Sequence, residues 1–320
     1  MTVSTAERPG DRPADAAARM LVATALMGLA DNFVVIIART AGLWQFQVTR
    51  SAIALTLILV VARWQGWRVM PRRPSRVAAR SLVMSTSLIL YFAALSLMPV
   101  AQAVAGLFTA PLFMLLILAA FFGRRIGPVP IAAVVAGFAG LMLVIRPETG
   151  GLQWLSLLPV VAGLIYALGQ LATREWCEGE GAVTLLVGFF VAMGLWGLVG
   201  LATLSLWQPA VPPGPEGFSF RLWGRMDWAA WACTLVQAVA SPLGVGLMIG
   251  AYQRAEASFV AVFEYALLVF AVAFGLLLFG VWPDRLALAG IAVIIASGAV
   301  IVLKGAEPAA SSSAGSGPRA

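Results

Sequence analysis

The sequence predicts an all-α integral membrane protein with ten transmembrane helices, arranged as two inverted repeats of five helices (5+5). Hydrophobic residues make up 61% of the chain and charged residues only 11%, whereas a soluble domain carries about 25% charged residues. Apolar stretches of about 20 residues, the length that crosses the hydrocarbon core, recur along almost the whole chain. These stretches do not alternate between apolar and polar residues, which excludes a transmembrane barrel.

Short loops separate the ten predicted spans, and polar tails flank them. Residues 1–17 and 305–320 are rich in Ala, Ser, Gly and Pro and are expected to be disordered. Residues 18–147 and 148–304 are expected to form the first and the second five-helix repeat. The spans are 18–37, 44–62, 78–97, 100–122, 128–145, 153–173, 183–206, 227–252, 256–280 and 286–303.

The last two spans of each half carry the internal repeat. Phe122-Gly123 pairs with Phe279-Gly280, and after each pair a short linker leads into another apolar span. Those two spans end in the similar segments 140–146 and 298–304. Because each copy has an odd number of spans, the second copy must insert upside down relative to the first. Inverted repeats of this kind build secondary transporters, whose substrate site lies near the bilayer midplane.

The distribution of basic residues predicts the orientation in a cell inner (plasma) membrane. With both termini in the cytoplasm, 15 Lys and Arg residues fall on the cytoplasmic side and six on the other side, as the positive-inside rule requires. The pI near 10.4 is therefore interpreted as a signal of topology and of contact with the lipid bilayer, not of nucleic-acid binding. The chain has no histidine, which excludes His metal sites and Ser-His-Asp triads. We expect no enzyme activity, no cofactor and no metal.

Three stretches resemble the EamA-type branch of the drug/metabolite transporter (DMT) superfamily. The first is Leu29-Ala30-Asp31-Asn32-Phe33, where that family usually reads Trp-Gly-Ser-Asn-Phe. The second is Arg50, near the start of the second span. The third is the set of Pro- and Gly-containing helix ends, namely Ala94-Leu95, Met98-Pro99 and Pro111, then Gly290 and Gly298. The resemblance extends from about residue 20 to residue 304 and implies a ten-helix carrier made of two EamA-like units.

Within that superfamily the chain most resembles the branch of aromatic and neutral amino acid exporters. The resemblance implies export of such amino acids, or of related small metabolites, by alternating access between the two repeats. A second transport function stays open, namely efflux of organic cations or drugs by proton antiport. A function of another class would be a membrane-embedded scaffold or enzyme. Ten spans are enough to close a pathway within one monomer, and the sequence leaves oligomerisation open.

Two acidic residues lie at membrane depth in the predicted spans, Asp31 in the first and Glu264 in the ninth. Charged groups at that depth cost about 2.5–3.5 kcal/mol on insertion scales and are functional hypotheses by default. We expect one of these carboxylates to bind a substrate ammonium or to exchange a coupling proton. The structural alternative is that Asp31 pins a helix or pairs with Arg50, which lies near a helix end and is interpreted as a snorkelling anchor.

Polar side chains within the spans are the candidates for contact with a small-molecule substrate. Amides and hydroxyls can hydrogen-bond a zwitterion without burying a net charge, and tyrosines add flat walls with a polar tip. The structural alternative is that such amides hold pairs of helices together in lipid. The predicted substrate-binding residues are Asn32, Tyr91, Gln102, Tyr166, Gln170, Gln237, Ser241 and Tyr265, and the predicted hinge residues are Pro111, Pro159, Pro242 and Gly244.

Overall fold

Helices are the regular elements throughout the part of the chain that the structure describes. The computed structural model describes residues 12–97, 106–123, 127–145, 157–280 and 284–305. In chain order the α-helices are α1 (Pro13–Ile37), α2 (Leu43–Gln65), α3 (Pro74–Leu97), α4 (Ala110–Phe122), α5 (Pro128–Ile145), α6 (Leu158–Glu175), α7 (Ala182–Trp207), α8 (Trp228–Arg254), α9 (Ala257–Glu264), α10 (Ala266–Phe279) and α11 (Arg285–Gly305). A short 3₁₀ helix, Gly214–Ser219, lies between α7 and α8.

Among the residues that the structure describes, six segments are long and apolar enough to cross a membrane, as expected for a multi-pass membrane protein. They are Pro13–Val34, Leu43–Gln65, Pro74–Ala94, Ala182–Trp207, Trp228–Arg254 and Phe259–Leu278. Shorter apolar helices occupy Ala110–Phe122, Ile131–Leu143 and Leu288–Ser297. Helical residues lie in each of the ten predicted spans, whereas the number of helices that cross the bilayer stays a prediction.

The first helix begins earlier than the sequence suggested. α1 starts at Pro13, inside the N-terminal tail that was expected to be disordered. Proline suits the first turn, where its missing N–H has no intrahelical partner in any case. Ala16 and Ala17 are buried in the core, and the N–H of Arg12 donates to the carbonyl of Arg254 at 2.7 Å. Packing against the end of α8 therefore extends the helix into the tail.

The ninth span is divided, although the sequence predicts one helix over 256–280. The break falls at Tyr265, whose N–H bonds to the carbonyl of Phe263, only two residues back. The helical hydrogen-bond ladder is therefore interrupted at one residue, and α9 and α10 continue on either side of it. Residues 1–11 and 306–320, in the two predicted tails, lie outside the described residues.

Two of the predicted hinge prolines begin helices and do not interrupt them. Pro111 and Pro159 lie in the first turns of α4 and α6, where proline removes no helix hydrogen bond. Pro242 does lie inside α8. Gly244 packs closely against α1, since a Cβ at that position would lie 3.0 Å from Sδ of Met27. A hinge at any of the four positions, Pro111, Pro159, Pro242 or Gly244, stays a prediction.

The predicted repeat makes α1, α2 and α3 correspond to α6, α7 and α8, α4 to the divided span of α9 and α10, and α5 to α11. Under this correspondence, pairs of helices that are in contact map onto other pairs that are in contact. α1 packs on α8, and the corresponding pair α3 and α6 also packs together. α1 contacts α10 as α6 contacts α4, and α2 contacts α8 as α7 contacts α3. The pairs α2–α7 and α5–α11 join each helix to its own counterpart.

One end of the bundle, called here the arginine-rich end, joins the α2–α3 loop, the α6–α7 loop and the adjoining ends of α1 and α8. The carboxylate of Glu180 accepts hydrogen bonds from the backbone N–H groups of Arg72 at 3.1 Å and Arg73 at 2.6 Å. Asp15 of α1 forms an ion pair with Arg254 of α8 at 3.0 Å. Carboxylates therefore hold this end closed.

The other end, called here the long-loop end, is covered by residues 208–227, which fold over the α1–α2 connection. Arg221 donates to the carbonyl of Ala38 at 2.6 Å. Gln45 donates to the carbonyl of Gly224 at 2.8 Å and accepts from its N–H at 3.0 Å. Bonds to backbone groups therefore hold this end closed.

Candidate functional site

A buried hydrogen-bond cluster surrounds the acidic residue of the ninth span. This Glu264 cluster consists of Glu264, Tyr252, Gln170, Tyr166 and Met248. Oε1 of Glu264 accepts hydrogen bonds from Tyr252 Oη at 2.7 Å, from Gln170 Nε2 at 3.2 Å and from Tyr166 Oη at 3.5 Å. Gln170 also donates to Tyr166 Oη at 2.9 Å, and Tyr166 Oη lies 3.2 Å from Met248 Sδ. The carboxyl itself is 4% exposed.

Helical spacing explains how these side chains meet. Tyr166 and Gln170 are four residues apart on α6, and Met248 and Tyr252 are four residues apart on α8, so each pair shares a helix face. Glu264 is the last residue of α9, immediately before the interruption of the ninth span. Three segments thus converge on one carboxyl group, which is equipped to exchange a proton or to hold a cation.

The second acidic residue, Asp31, belongs to a separate group on α1, α2 and α3, called here the Asp31–Arg50 cluster. Asp31 lies close enough to Arg50 and to Tyr91 to interact with both electrostatically. The guanidinium carbon of Arg50 lies 5.1 Å from the ring centroid of Phe46 and 6.0 Å from that of Phe190. Arg50 is only 5% exposed, so its charge is held between helices and does not reach water in the way expected of a snorkelling anchor.

The face of α2 around Arg50 carries polar atoms that have no hydrogen-bond partner within the described residues. They are both amide atoms of Gln47, Nε of Arg50 and Oγ of Ser51. Gln47 is fully buried and Ser51 is 1% exposed. The three residues lie at positions i, i+3 and i+4, on one face of the helix. A buried polar group without a partner costs about 1–3 kcal/mol, so this face has hydrogen-bonding capacity that the described residues do not fill.

Three of the predicted substrate-binding side chains are engaged in bonds between helices. Asn32 of α1 donates to the carbonyl of Ala271 on α10 at 3.1 Å. Gln237 of α8 donates to the carbonyl of Ala30 on α1 at 2.6 Å, and Ser241 donates to Oε1 of Gln237 at 2.8 Å. These contacts agree with the structural alternative, in which amides hold helix pairs together. They fix the backbone of α1 on both sides of its acidic residue.

The other predicted residues divide between the two clusters and positions outside them. Tyr166 and Gln170 join the Glu264 cluster, and Tyr91 joins the Asp31–Arg50 cluster. Tyr265 lies in neither, because its hydroxyl donates to the carbonyl of Phe108 at 3.4 Å. Gln102 lies outside the described residues.

Tyr252, which the sequence offers with the other span tyrosines as a flat wall with a polar tip, donates the shortest bond to Glu264. Sequence reasoning missed Gln47 and Ser51, which complete the face around Arg50. The i, i+3, i+4 spacing of polar residues inside an apolar span was the signal for that face. Arg80, counted with the loop cations, is fully buried and donates to Oγ1 of Thr173 at 2.8 Å.

Comparisons with known proteins point to transport. No family model matches the chain. The chain is 31% identical over 230 residues to a riboflavin transporter of Rhizobium johnstonii. The aligned region covers 72% of this chain and 70% of that protein. It is 30% identical to a riboflavin transporter of Vibrio cholerae, over 63% of this chain and 62% of that protein. It is 24% identical to the pseudopaline exporter CntI of Pseudomonas aeruginosa, over 77% of this chain and 81% of that protein.

A solved crystal structure has the same fold. It covers 90% of this chain and 97% of its own chain with a TM-score of 0.71, at 18% sequence identity. The named relatives are transporters, and six segments in the described part of this chain have the length and hydropathy of membrane spans. At 31% identity over 70% of the Rhizobium johnstonii protein, this chain belongs to the family of membrane transporters that includes that riboflavin transporter.

Proposed function

We propose that this protein is a secondary transporter in the cell inner membrane, working by alternating access between two inverted five-helix repeats, residues 18–147 and 148–304. The matched helix contacts support the repeat, because exchanging the halves maps α1–α8 onto α3–α6 and α1–α10 onto α6–α4. The helix ends support it too. α4 and α10 both end on a left-handed glycine, Gly123 and Gly280, in the two Phe-Gly pairs. The positive-inside rule supports a cytoplasmic location for both termini.

The substrate that we propose is riboflavin or a neutral compound of that class. Two relatives named riboflavin transporters, at 31% and 30% identity, support this choice. The observation that carries the proposal is the Asp31–Arg50 cluster, since a carboxylate and a guanidinium of opposite charge lie with unpartnered amide and hydroxyl groups inside the bundle. Such a site is electrically balanced and rich in hydrogen-bonding groups, as a neutral polar heterocycle requires.

The same cluster also favours a second candidate function, the export of aromatic or neutral amino acids. A zwitterion would place its ammonium near Asp31 and its carboxylate near Arg50, and guanidinium groups bind carboxylates well. The Glu264 cluster has a separate task in either mechanism. Its carboxyl group is proposed to exchange the coupling proton, because three donors converge on one of its oxygens.

Counterflow in proteoliposomes tests these functions against one another. Purified protein is reconstituted with unlabelled substrate inside, and uptake of labelled riboflavin, phenylalanine and a quaternary ammonium compound is compared. Saturable exchange of riboflavin alone supports the main proposal, and exchange of phenylalanine alone supports amino acid export. Exchange of the cation alone overturns both and assigns the buried carboxylates to cation efflux.

A further inference from the structure

The unpartnered face of α2 offers a specific order of donors and acceptors. The amide of Gln47 provides one donor, Nε2, and one acceptor, Oε1, and neither has a partner among the described residues. Arg50 adds guanidinium donors one helical turn away, with its Nε also unpartnered. The face therefore presents an acceptor together with donors from two different side chains.

Aromatic rings and the neighbouring helix α7 restrict the side chains on this face of α2. Arg50 is held over the rings of Phe46 and Phe190, and both rings are fully buried. Ser51 packs against α7, where a Cβ added at Gly194 would lie 3.4 Å from the Cβ of Ser51. The side chains around the unpartnered atoms are therefore confined, which favours recognition of a ligand edge of defined shape.

This pattern discriminates between ligand chemistries. A carboxylate has only acceptors, so it would use the donors of Arg50 and Gln47 and leave Oε1 of Gln47 unpaired. An amide-type edge has an acceptor beside a donor, and a glutamine side chain pairs with such an edge through two bonds. The charge of Asp31 near Arg50 balances the guanidinium, so the ligand itself need not carry a charge.

We propose that Gln47 and Arg50 read an imide edge, in which an N–H group lies between two carbonyl groups, on a neutral planar heterocycle. Nε2 of Gln47 donates to one carbonyl, Oε1 of Gln47 accepts from the N–H, and Arg50 donates to the other carbonyl. This assignment rests on the proposed riboflavin-type substrate, whose ring system carries such an edge.

The test compares riboflavin with its N3-methyl derivative, which lacks the imide N–H and is otherwise the same size to within one methyl group. Counterflow is measured for the wild type, for Gln47→Met and for Thr56→Ala. The last is the control on the same helix, because the exposed Thr56 hydroxyl bonds only to the carbonyl of Ala52 in its own helix. The readout is the ratio of riboflavin to N3-methylriboflavin transport, which a merely structural role of Gln47 does not change.

In the wild type and in Thr56→Ala, riboflavin is expected to be transported at least about tenfold faster than the methylated flavin, because hydrogen bonds to a polar, desolvated site carry that much selectivity. In Gln47→Met the ratio is expected to fall close to one. A wild-type ratio near one overturns the imide assignment even if no variant folds, and so does an unchanged ratio in Gln47→Met. If the wild type does not exchange riboflavin at all, the proposed function fails and the imide assignment fails with it. If the wild type exchanges riboflavin but the ratio is near one, the imide assignment alone fails, so the two failures are distinguishable.

Discussion

The Glu264 cluster and the Asp31–Arg50 cluster contain similar polar groups but differ in how far those groups are satisfied within the protein. Three donors converge on Glu264. Around Arg50, by contrast, the Gln47 amide, the Arg50 Nε and the Ser51 hydroxyl have no partner within the described part of the chain. In the Glu264 cluster one buried side-chain atom, Oε1 of Gln170, has no partner within the described residues, whereas the face around Arg50 has four such atoms. A largely satisfied network stabilises one arrangement of helices, whereas a largely unsatisfied one leaves hydrogen-bonding capacity for a ligand. This difference is the basis on which we propose structure and coupling for the first cluster and substrate recognition for the second.

The largest effect is expected from removing the carboxyl group at the satisfied cluster. Glu264→Ala leaves the Tyr252 hydroxyl without its acceptor, whereas Gln170 and Tyr166 keep their contacts to each other and to Met248. A buried unpaired group costs about 1–3 kcal/mol and truncation of a buried side chain leaves a cavity, so we expect the variant to lose about 2–4 kcal/mol of unfolding free energy and to melt below the wild type in detergent. Thermal unfolding of the purified variants measures this.

Glu264→Gln separates stability from coupling at the same position. Glutamine keeps an oxygen that can accept from Tyr252, so we expect the variant to fold and to carry out counterflow. It cannot exchange a proton, so uptake driven by a pH gradient is expected to disappear. Retention of gradient-driven uptake in Glu264→Gln would remove Glu264 from the coupling mechanism and leave it a purely structural role.

The opposite result is expected at the unsatisfied cluster. Gln47→Met replaces a fully buried amide that has no internal partner with an apolar side chain of similar length. Removing that unpaired group is expected to raise the unfolding free energy by about 1 kcal/mol, although the same change is expected to reduce riboflavin transport. A melting temperature that falls in Gln47→Met would show that the amide stabilises the fold and would contradict the distinction between the two clusters.

A smaller effect is expected at the arginine-rich end, with Cys177 as the reporter. Cys177 is fully buried in the α6–α7 loop, and burial raises the pKa of its thiol. Less thiolate is then present at neutral pH, so maleimide labelling should be slow and should keep rising with pH after an exposed thiol has levelled off. Glu180→Gln weakens the bonds to Arg72 and Arg73 by about 1 kcal/mol and should accelerate labelling about fivefold.

The control for this measurement is Cys177→Ser, which leaves Cys233 as the remaining free cysteine. Labelling that is equally slow in Glu180→Gln and in the wild type would mean that this carboxylate does not keep the arginine-rich end closed. The long-loop end offers the contrast, because it is closed by Gln45 and Arg221 through backbone groups and should be insensitive to Glu180→Gln.

The helices were predictable from the sequence because lipid-length apolar runs have few alternative structures. Glu264 with Tyr166 and Gln170 was partly predictable, since polar residues at membrane depth are rarely accidental. Which amides have a partner between helices and which do not was not predictable. Gln237 and Gln47 look alike in the sequence, yet Gln237 reaches the carbonyl of Ala30 and Gln47 reaches no partner in the described chain. That distinction depends on how the helices pack, which hydropathy does not encode.

The smallest effect is expected at Gln208, which tests the comparison of the two halves at their surface. Gln208 ends α7 with a φ of 46°, and Gly66 ends the corresponding helix α2 with a φ of 66°. A residue with a side chain pays roughly 1 kcal/mol for this left-handed conformation, and glycine does not. Gln208→Gly is therefore expected to raise the unfolding free energy by about 0.5–1 kcal/mol, and Gly66→Ala to lower it by about 1 kcal/mol, with counterflow unchanged in both. If Gln208→Gly melted below the wild type, the hydrogen bond from the Gln208 amide to the carbonyl of Ser205 would contribute more stability than the left-handed backbone costs. The ends of α2 and α7 would then share a backbone conformation but differ in its energetic cost.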